Sequence, residues 1–272
     1  MRIGGGNEYK RLVLSRAACL IALGAVSACA RAGTIGSGLI GYWPFDGSGA
    51  DSSGGGYNLT LTGGATYAPG LFGQALSLQG IQGQSAVGSG DNPAFNFGSN
   101  NFSVQVWADF SAIPGEQTLI EKFSGCCGPG WTFTTPGGTD LQFYSSAGIV
   151  NAPVSLQTGV WEQFVATRNG STLDLYFDGA LIGGGSLSGA MTASTNPLLV
   201  GARNSADSRN FTVDGLIDEV GIWDRPLSGA EVSALWDGGA GEPIAPEPSS
   251  LVLTGAAMLG VMVVRWRRGR RG

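Results

Sequence analysis

The chain has no histidine, and 15 basic and 20 acidic residues are its only charged side chains among 272. The missing imidazole removes Ser-His-Asp and Cys-His triads, histidine zinc sites and imidazole acid-base catalysis together. Charged residues make up 13%, about half the usual quarter, which excludes a charged disordered chain and a coiled coil. Any chemistry must run on carboxylates or tyrosine. What abounds is glycine, 47 residues with no three-residue period, so collagen is excluded as well. The length allows one large domain or two small ones, and a hydrophobic content of 43% suffices to build a core.

Charge is unevenly spread. Five basic residues precede Gly33 and five follow Glu247, leaving 5 against 19 acids between them, a net charge of −14. A field of that sign repels nucleic acid and anionic lipid, so no nucleic-acid partner is expected. At the N-terminus Lys10, Arg11 and Arg16 precede the apolar or small run Ala17–Ala28, and small residues surround Cys29 and Arg31. A basic region, a short apolar region and an A-x-A-like end predict a secretory signal peptide over residues 1–32. Val26-Ser27-Ala28-Cys29 also resembles a bacterial lipobox, the alternative in which Cys29 is lipidated.

At the other end Pro246-Glu247-Pro248 lies in a linker, residues 242–250, and the apolar run Leu251–Val264 and an arginine-rich tail follow. Fourteen apolar residues make a helix of roughly 21 Å, short for a hydrocarbon core of about 30 Å. The arginines would stay cytoplasmic and leave the rest outside. The three-part order over about 27 residues resembles the bacterial PEP-CTERM sorting signal. The resemblance implies one short transmembrane helix with a basic tail over residues 251–272. It also implies an exosortase-type enzyme that processes the membrane-anchored precursor, so that the product reaches the cell surface or extracellular matrix of a bacterium.

Between these ends the pattern is all-β. Phe102, Val104, Val106, Ala108 and Phe110 share one face of a strand, while Ser103, Gln105, Trp107 and Asp109 share the other. Leu173, Leu175 and Phe177 alternate with Asp174 and Tyr176, and Asp178-Gly179 marks a tight hairpin turn. Further runs at 119–123, 131–135, 141–144, 161–167, 198–201, 211–213 and 216–223 bring the expectation to about ten strands in a two-sheet sandwich. One helix is expected after Ser228, with Glu231 closing a capping box. No linker or repeat divides residues 33–241, so one domain is expected.

Several segments resemble a laminin-G-like, concanavalin A-like jelly roll. They are Gly38-Leu39-Ile40-Gly41-Tyr42-Trp43-Pro44-Phe45-Asp46, Asp51-Ser52-Ser53-Gly54, Leu71-Phe72-Gly73-Gln74-Ala75-Leu76, and Trp161 through Asp178-Gly179. The closing Gly215-Leu216-Ile217-Asp218-Glu219-Val220-Gly221-Ile222-Trp223 completes the order. One departure is Glu162-Gln163, where relatives commonly carry histidine. The resemblance implies that Asp46 and Asp218 lie near each other and join backbone carbonyls around a Ca²⁺. A turn cap at Asp218 with a solvated Asp46 is the alternative.

Relatives of this fold include glycan-binding modules, adhesion modules and β-glucan hydrolases. The hydrolase signature, Glu-x-Asp-x-Glu on one strand, is absent, since no two of the eight glutamates stand four apart. Strand alternation puts Asp218 and Glu219 on opposite faces, so no acid/base pair is expected there. Trp107, Trp131 and Tyr144 are the candidate ligand-binding rings, able to stack on sugar faces. Cys126 and Cys127 are adjacent and, in an exported protein, are expected to form a vicinal or an intermolecular disulfide. The expected protein is an exported bacterial module that binds glycan or extracellular polysaccharide without catalysis. A protein-binding adhesion module is the alternative, and a glycoside hydrolase a more distant one.

Overall fold

The computed structural model describes residues 35–125, 128–204 and 211–244. Within the unit Gly38–Ile244 the chain forms β1 (Leu39–Trp43), β2 (Leu59–Thr62), β3 (Thr66–Pro69), β4 (Gln74–Gln79), β5 (Ser85–Gly88), β6 (Phe102–Ala112), β7 (Gln117–Phe123) and β8 (Gly130–Thr135). There follow β9 (Asp140–Ser145), β10 (Gly148–Pro153), β11 (Trp161–Asn169), β12 (Thr172–Phe177), β13 (Ala180–Ser186), β14 (Leu199–Val200) and β15 (Asp214–Trp223), then helix α1 (Gly229–Trp236). One antiparallel sheet runs β13-β12-β11-β6-β15-β4-β3, with β1 also paired to β15. The other runs β10-β9-β8-β7-β14-β5-β2.

The inner faces meet as one core. The expected stripe Phe102, Val104, Val106, Ala108 and Phe110 packs there with Phe133, Leu141, Phe143, Leu173, Leu175 and Ile217. Each large apolar side chain so buried contributes about 1.5–3 kcal/mol. The hairpin joining β12 to β13 forms as expected: Asp178 and Gly179 both take left-handed backbone (φ 48° and 75°), which matches the strand twist. Helix α1 starts at the expected capping box, with Ser228 Oγ accepting from Glu231 N and Glu231 accepting from Ser228 N.

Two differences reflect what alternation cannot report. Residues 211–213 are not a strand; β15 begins at Asp214. The short strands β2 to β5 carry mixed apolar and polar residues, and pairing with neighbours rather than local pattern makes them strands.

The outer face of the first sheet is also covered. Ser103 Oγ donates to Arg225 O and accepts from Leu227 N. A Cβ on Gly221 would meet the Ile244 side chain, and one on Gly179 would meet Trp236. Ile244 is buried and its N–H donates to Glu219, which ties the end of the described unit Gly38–Ile244 to β15.

Candidate functional site

Four polar side chains gather on this covered outer face. Ile217 and Val220 both point into the core, three residues apart, so β15 must bulge between them. Glu219 absorbs the bulge with left-handed backbone (φ 49°). Asp218 and Glu219 consequently share the outer side, which corrects the expectation of opposite faces. The Tyr42 hydroxyl donates to the Glu219 carboxylate, 2.9 Å from each oxygen. Asp218 Oδ2 accepts from Phe72 N (3.2 Å), and its Oδ1 accepts from Glu219 N (2.9 Å). Asp46, exposed, accepts Gln74 N at 2.8 Å. Asp46 and Asp218 thus reach the turn at residues 70–74 from two sides. Gly73 is required there, because its φ of 47° is left-handed and any Cβ would collide with Asp46 Oδ1.

Burial dominates the electrostatics of the cluster. It raises the Asp218 carboxyl to about 8, with Glu219 adding like charge, and raises Glu219 to about 7. The Tyr42 hydroxyl is raised further above its ordinary value, by burial and then by Glu219. None of the ion pairs among the described residues involves these acids. Among the described residues, N–H and O–H donors offset their charge. Among the described residues no three Asp, Glu or Cys side chains are arranged to hold a metal ion. What the turn offers a hard cation is two carboxylates, with carbonyls and water to complete the shell. In that limited sense the Asp46–Asp218 donor set suits Ca²⁺.

The expected ligand-binding rings fare differently. Trp107 is fully buried, set between Gln163 of β11 and Asp218 of β15 under the covered outer face. Trp131 is buried in the core, where it stacks on Phe97 and Phe143 and its Nε1 donates to Phe95 O at 2.8 Å. Neither ring can stack on a sugar, which corrects both assignments. A two-layer fold buries one face of each strand by necessity, and here residues 225–244 bury part of the second. Tyr144 stays partly accessible, its ring edge-on to Phe123 at 5.2 Å.

A second polar group went unnoticed in the sequence. On the outer face of the other sheet Glu121 of β7 lies opposite Thr132 of β8 and is fully buried. Arg203 bridges it to Glu116: Nη2 is 2.6 Å from Glu116 Oε1, and Nε is 3.4 Å from Glu121 Oε2, too poorly aligned for a hydrogen bond. Arg203 also lies 4.2 Å over the Phe211 ring. Burial raises Glu121 to about 7, although Asn204 N–H and Arg203 oppose it. Among the described residues Thr118 Oγ1, also buried, has no hydrogen-bond partner. The signal was an acid-base pair, Glu121-Lys122, set between the apolar residues Leu119, Ile120 and Phe123 of one strand.

The remaining expected residues, Cys126, Cys127, Pro246, Glu247 and Pro248, lie outside the described residues, as do residues 1–32 and 251–272. Among the described residues no helix is long and apolar enough to cross a membrane.

Two sheets of antiparallel strands enclosing one core, with the closing Asp-Glu strand at the centre of one of them, define a class. Residues 82–233 match the Laminin_G_3 family profile, described as the concanavalin A-like lectin/glucanases superfamily. The chain belongs to that superfamily. A search of curated proteins finds no match. Among solved structures, domain 4 of a GH43 extracellular arabinanase from Geobacillus stearothermophilus, in complex with arabinotriose, is similar with a TM-score of 0.59 and 20% identity. The match covers 72% of this chain and 97% of that one. The binding domain of Paraclostridial Mosquitocidal Protein 1 is similar at 0.59 and 19% identity, over 74% of this chain and 52% of that one. A Trypanosoma rangeli sialidase is similar at 0.56 and 16%, over 74% of this chain and 32% of that one. The chain thus spans nearly all of the arabinanase domain, about half of the toxin domain and about a third of the sialidase. At these identities the likeness shows the fold.

Proposed function

We propose that the jelly roll is an exported, non-catalytic module that binds glycan or extracellular polysaccharide at the surface or in the matrix of a bacterium. The observation that carries the reading is the fold shared, end to end, with an arabinanase domain solved with arabinotriose. Against catalysis stands the condition of four of the described acids. Asp218 and Glu219 are buried beneath the 70–74 turn and Ile244, and Glu116 and Glu121 are both engaged by Arg203. A glycosidase needs one proton-donating and one ionised carboxyl open to the sugar. Export rests on the signal peptide of residues 1–32, with exosortase-type processing at Pro246-Glu247-Pro248 and the helix of 251–272 as membrane anchor of the precursor.

Binding of the exported protein to an array of neutral and acidic oligosaccharides, arabinotriose included, tests the reading. Binding without release of reducing ends is the expected result. Attachment to whole cells with no bound glycan would instead favour a protein partner, the reading that similarity to a toxin binding domain supports. Steady turnover of any oligosaccharide would establish a hydrolase.

Calcium at Asp46 and Asp218 is part of the proposal. A cation there would neutralise carboxylates that no basic side chain among the described residues pairs, and would hold the turn between them. Melting in Ca²⁺ against chelator should raise the midpoint, and Asp218→Asn should abolish the difference. No difference in the parent protein would refute the site. The vicinal or intermolecular disulfide of Cys126 and Cys127 is likewise proposed, and thiol counting on the folded protein decides it.

A further inference from the structure

A pocket opens where the loop before β2 meets the loop after β5, a partly open depression whose space is about 320 Å³ when the solvent at its mouth is counted. Leu59, Phe95 and Leu198 are its buried floor and Tyr57 its aromatic wall, while Asn58 and Ser89 stand on the rim. Asn92 completes it, and among the described residues no charged side chain lines it. The geometry points to a binding site for one residue of a neutral sugar, with the Tyr57 wall against the ring and the amides and hydroxyl bonding its OH groups. The inference rests on the glycan-binding reading and names the part of the surface that carries it.

The pocket is preorganised from both sides. Asp51 gathers the loop before β2: its Oδ1 accepts Tyr42 N (3.0 Å) and Ser53 N (2.8 Å), and its Oδ2 accepts Tyr57 N (3.0 Å). Trp43 Nε1 donates to Tyr57 O at 2.9 Å, so the Tyr57 backbone is held at both its N–H and its carbonyl. The ring is steadied edge-on against Phe95, 5.0 Å between centroids. Across the pocket the fully buried Lys122 ammonium holds Asp91 at 2.6 Å, fixing the loop that carries Ser89 and Asn92. Asn92 Oδ1 accepts Ala94 N at 3.0 Å. Asn58 Oδ1 accepts Asp51 N at 2.9 Å. Both amide oxygens are therefore engaged, and the amide nitrogens remain as hydrogen-bond donors to sugar oxygens.

An apolar floor, one aromatic wall and a few neutral polar groups suit the mixed CH and OH faces of a sugar. The lack of a cation in the lining disfavours sialic and uronic acids, whose carboxylates need one. Rigid loops also reduce the ordering cost that weakens single-sugar sites.

The experiment measures the exported protein against a panel of neutral and acidic oligosaccharides by array, with ligand-observed NMR on the methyl glycosides of glucose, galactose, arabinose and xylose. Two variants carry the test. Ser89→Trp fills the mouth from an exposed position and should leave the melting midpoint unchanged. Tyr57→Ala removes the wall. We expect binding to neutral sugars only, abolished in Ser89→Trp and weakened about tenfold in Tyr57→Ala. Leu181→Ala, on an exposed side chain of β13, controls for surface change and should bind like the parent. If the parent binds glycan and Ser89→Trp binds equally well, the pocket is overturned while the glycan reading stands. A preference for acidic sugars, or loss on Tyr144→Ala alone, overturns it too. If the parent binds no glycan, both readings fall together.

Discussion

Replacing Lys122 with methionine probes whether a buried ammonium holds the loops around the proposed pocket. The side chain is fully buried, and its Nζ donates to Asp91 Oδ1 (2.6 Å), Ser194 O (2.8 Å) and Asn196 O (2.7 Å), so all three protons are engaged. Methionine keeps the length and apolar stem and removes every donor. Breaking a buried pair by deleting one partner costs about 3–5 kcal/mol. Asp91 is 42% exposed and rehydrates, so its share is small. The two orphaned carbonyls dominate at about 1–3 kcal/mol each, partly offset because a lysine no longer has to be desolvated. A net loss of about 3 kcal/mol lowers the melting midpoint by about 6–12 °C for a domain of this size. Thermal melting by circular dichroism measures it. The loss should persist in about 0.5 M NaCl, since a buried pair is little screened. A shift under about 2 °C, or one erased by salt, would refute the claim that buried donors rather than surface charge hold these loops.

Other outcomes follow from the same reasoning. Ser228→Ala removes the capping-box hydroxyl of α1 and should cost about 1 kcal/mol, read as a fall of about 2–4 °C in the midpoint. Trp107→Phe and Trp131→Phe delete the same atoms from buried rings with opposite consequences. Trp107 Nε1 has no acceptor, so its loss removes a polar cost, while Trp131 loses the bond to Phe95 O. In urea titration Trp131→Phe should be about 1–3 kcal/mol worse than Trp107→Phe, and equal losses would contradict the pairing. In chelator, stability should fall as pH rises from about 5 to about 8.5. Burial raises Asp218 to about 8 and Glu121, Glu162 and Glu219 each to about 7, against about 4 unfolded. The protonated carboxyls favour the folded state, so this stabilisation is complete below about pH 4 and lost as pH climbs through 7 to 8. Glu121→Gln should flatten the slope, and a midpoint that rises with pH over that range would overturn the assignment.

Much of the fold was legible because local patterns carry it. The alternation of Phe102 to Phe110, the Asp178-Gly179 turn and the Ser228–Glu231 box each concern residues a few positions apart, whose geometry depends little on distant partners. The site was less legible. Trp107 does lie on the outer side of its strand, as alternation says, but alternation is silent on the later segment, residues 225–244, that covers this side. The same limit hid the bulge at Glu219, which only the competing demands of Ile217 and Val220 for the core reveal. Glu121 was visible, with Lys122, as a charge inside a short strand, but its partner Arg203 lies 82 positions away.

By itself, the sequence determined the all-β class, the order of the long strands and the shortage of catalytic groups, because alternation, turn chemistry and composition act through near neighbours. Tertiary structure alone decided which aromatic rings reach solvent, which carboxylates share a face and where a pocket opens. Those depend on loops far apart in the chain: Tyr57 meets Ser89 and Asn92 only because β2 pairs with β5 and buried Lys122 holds Asp91.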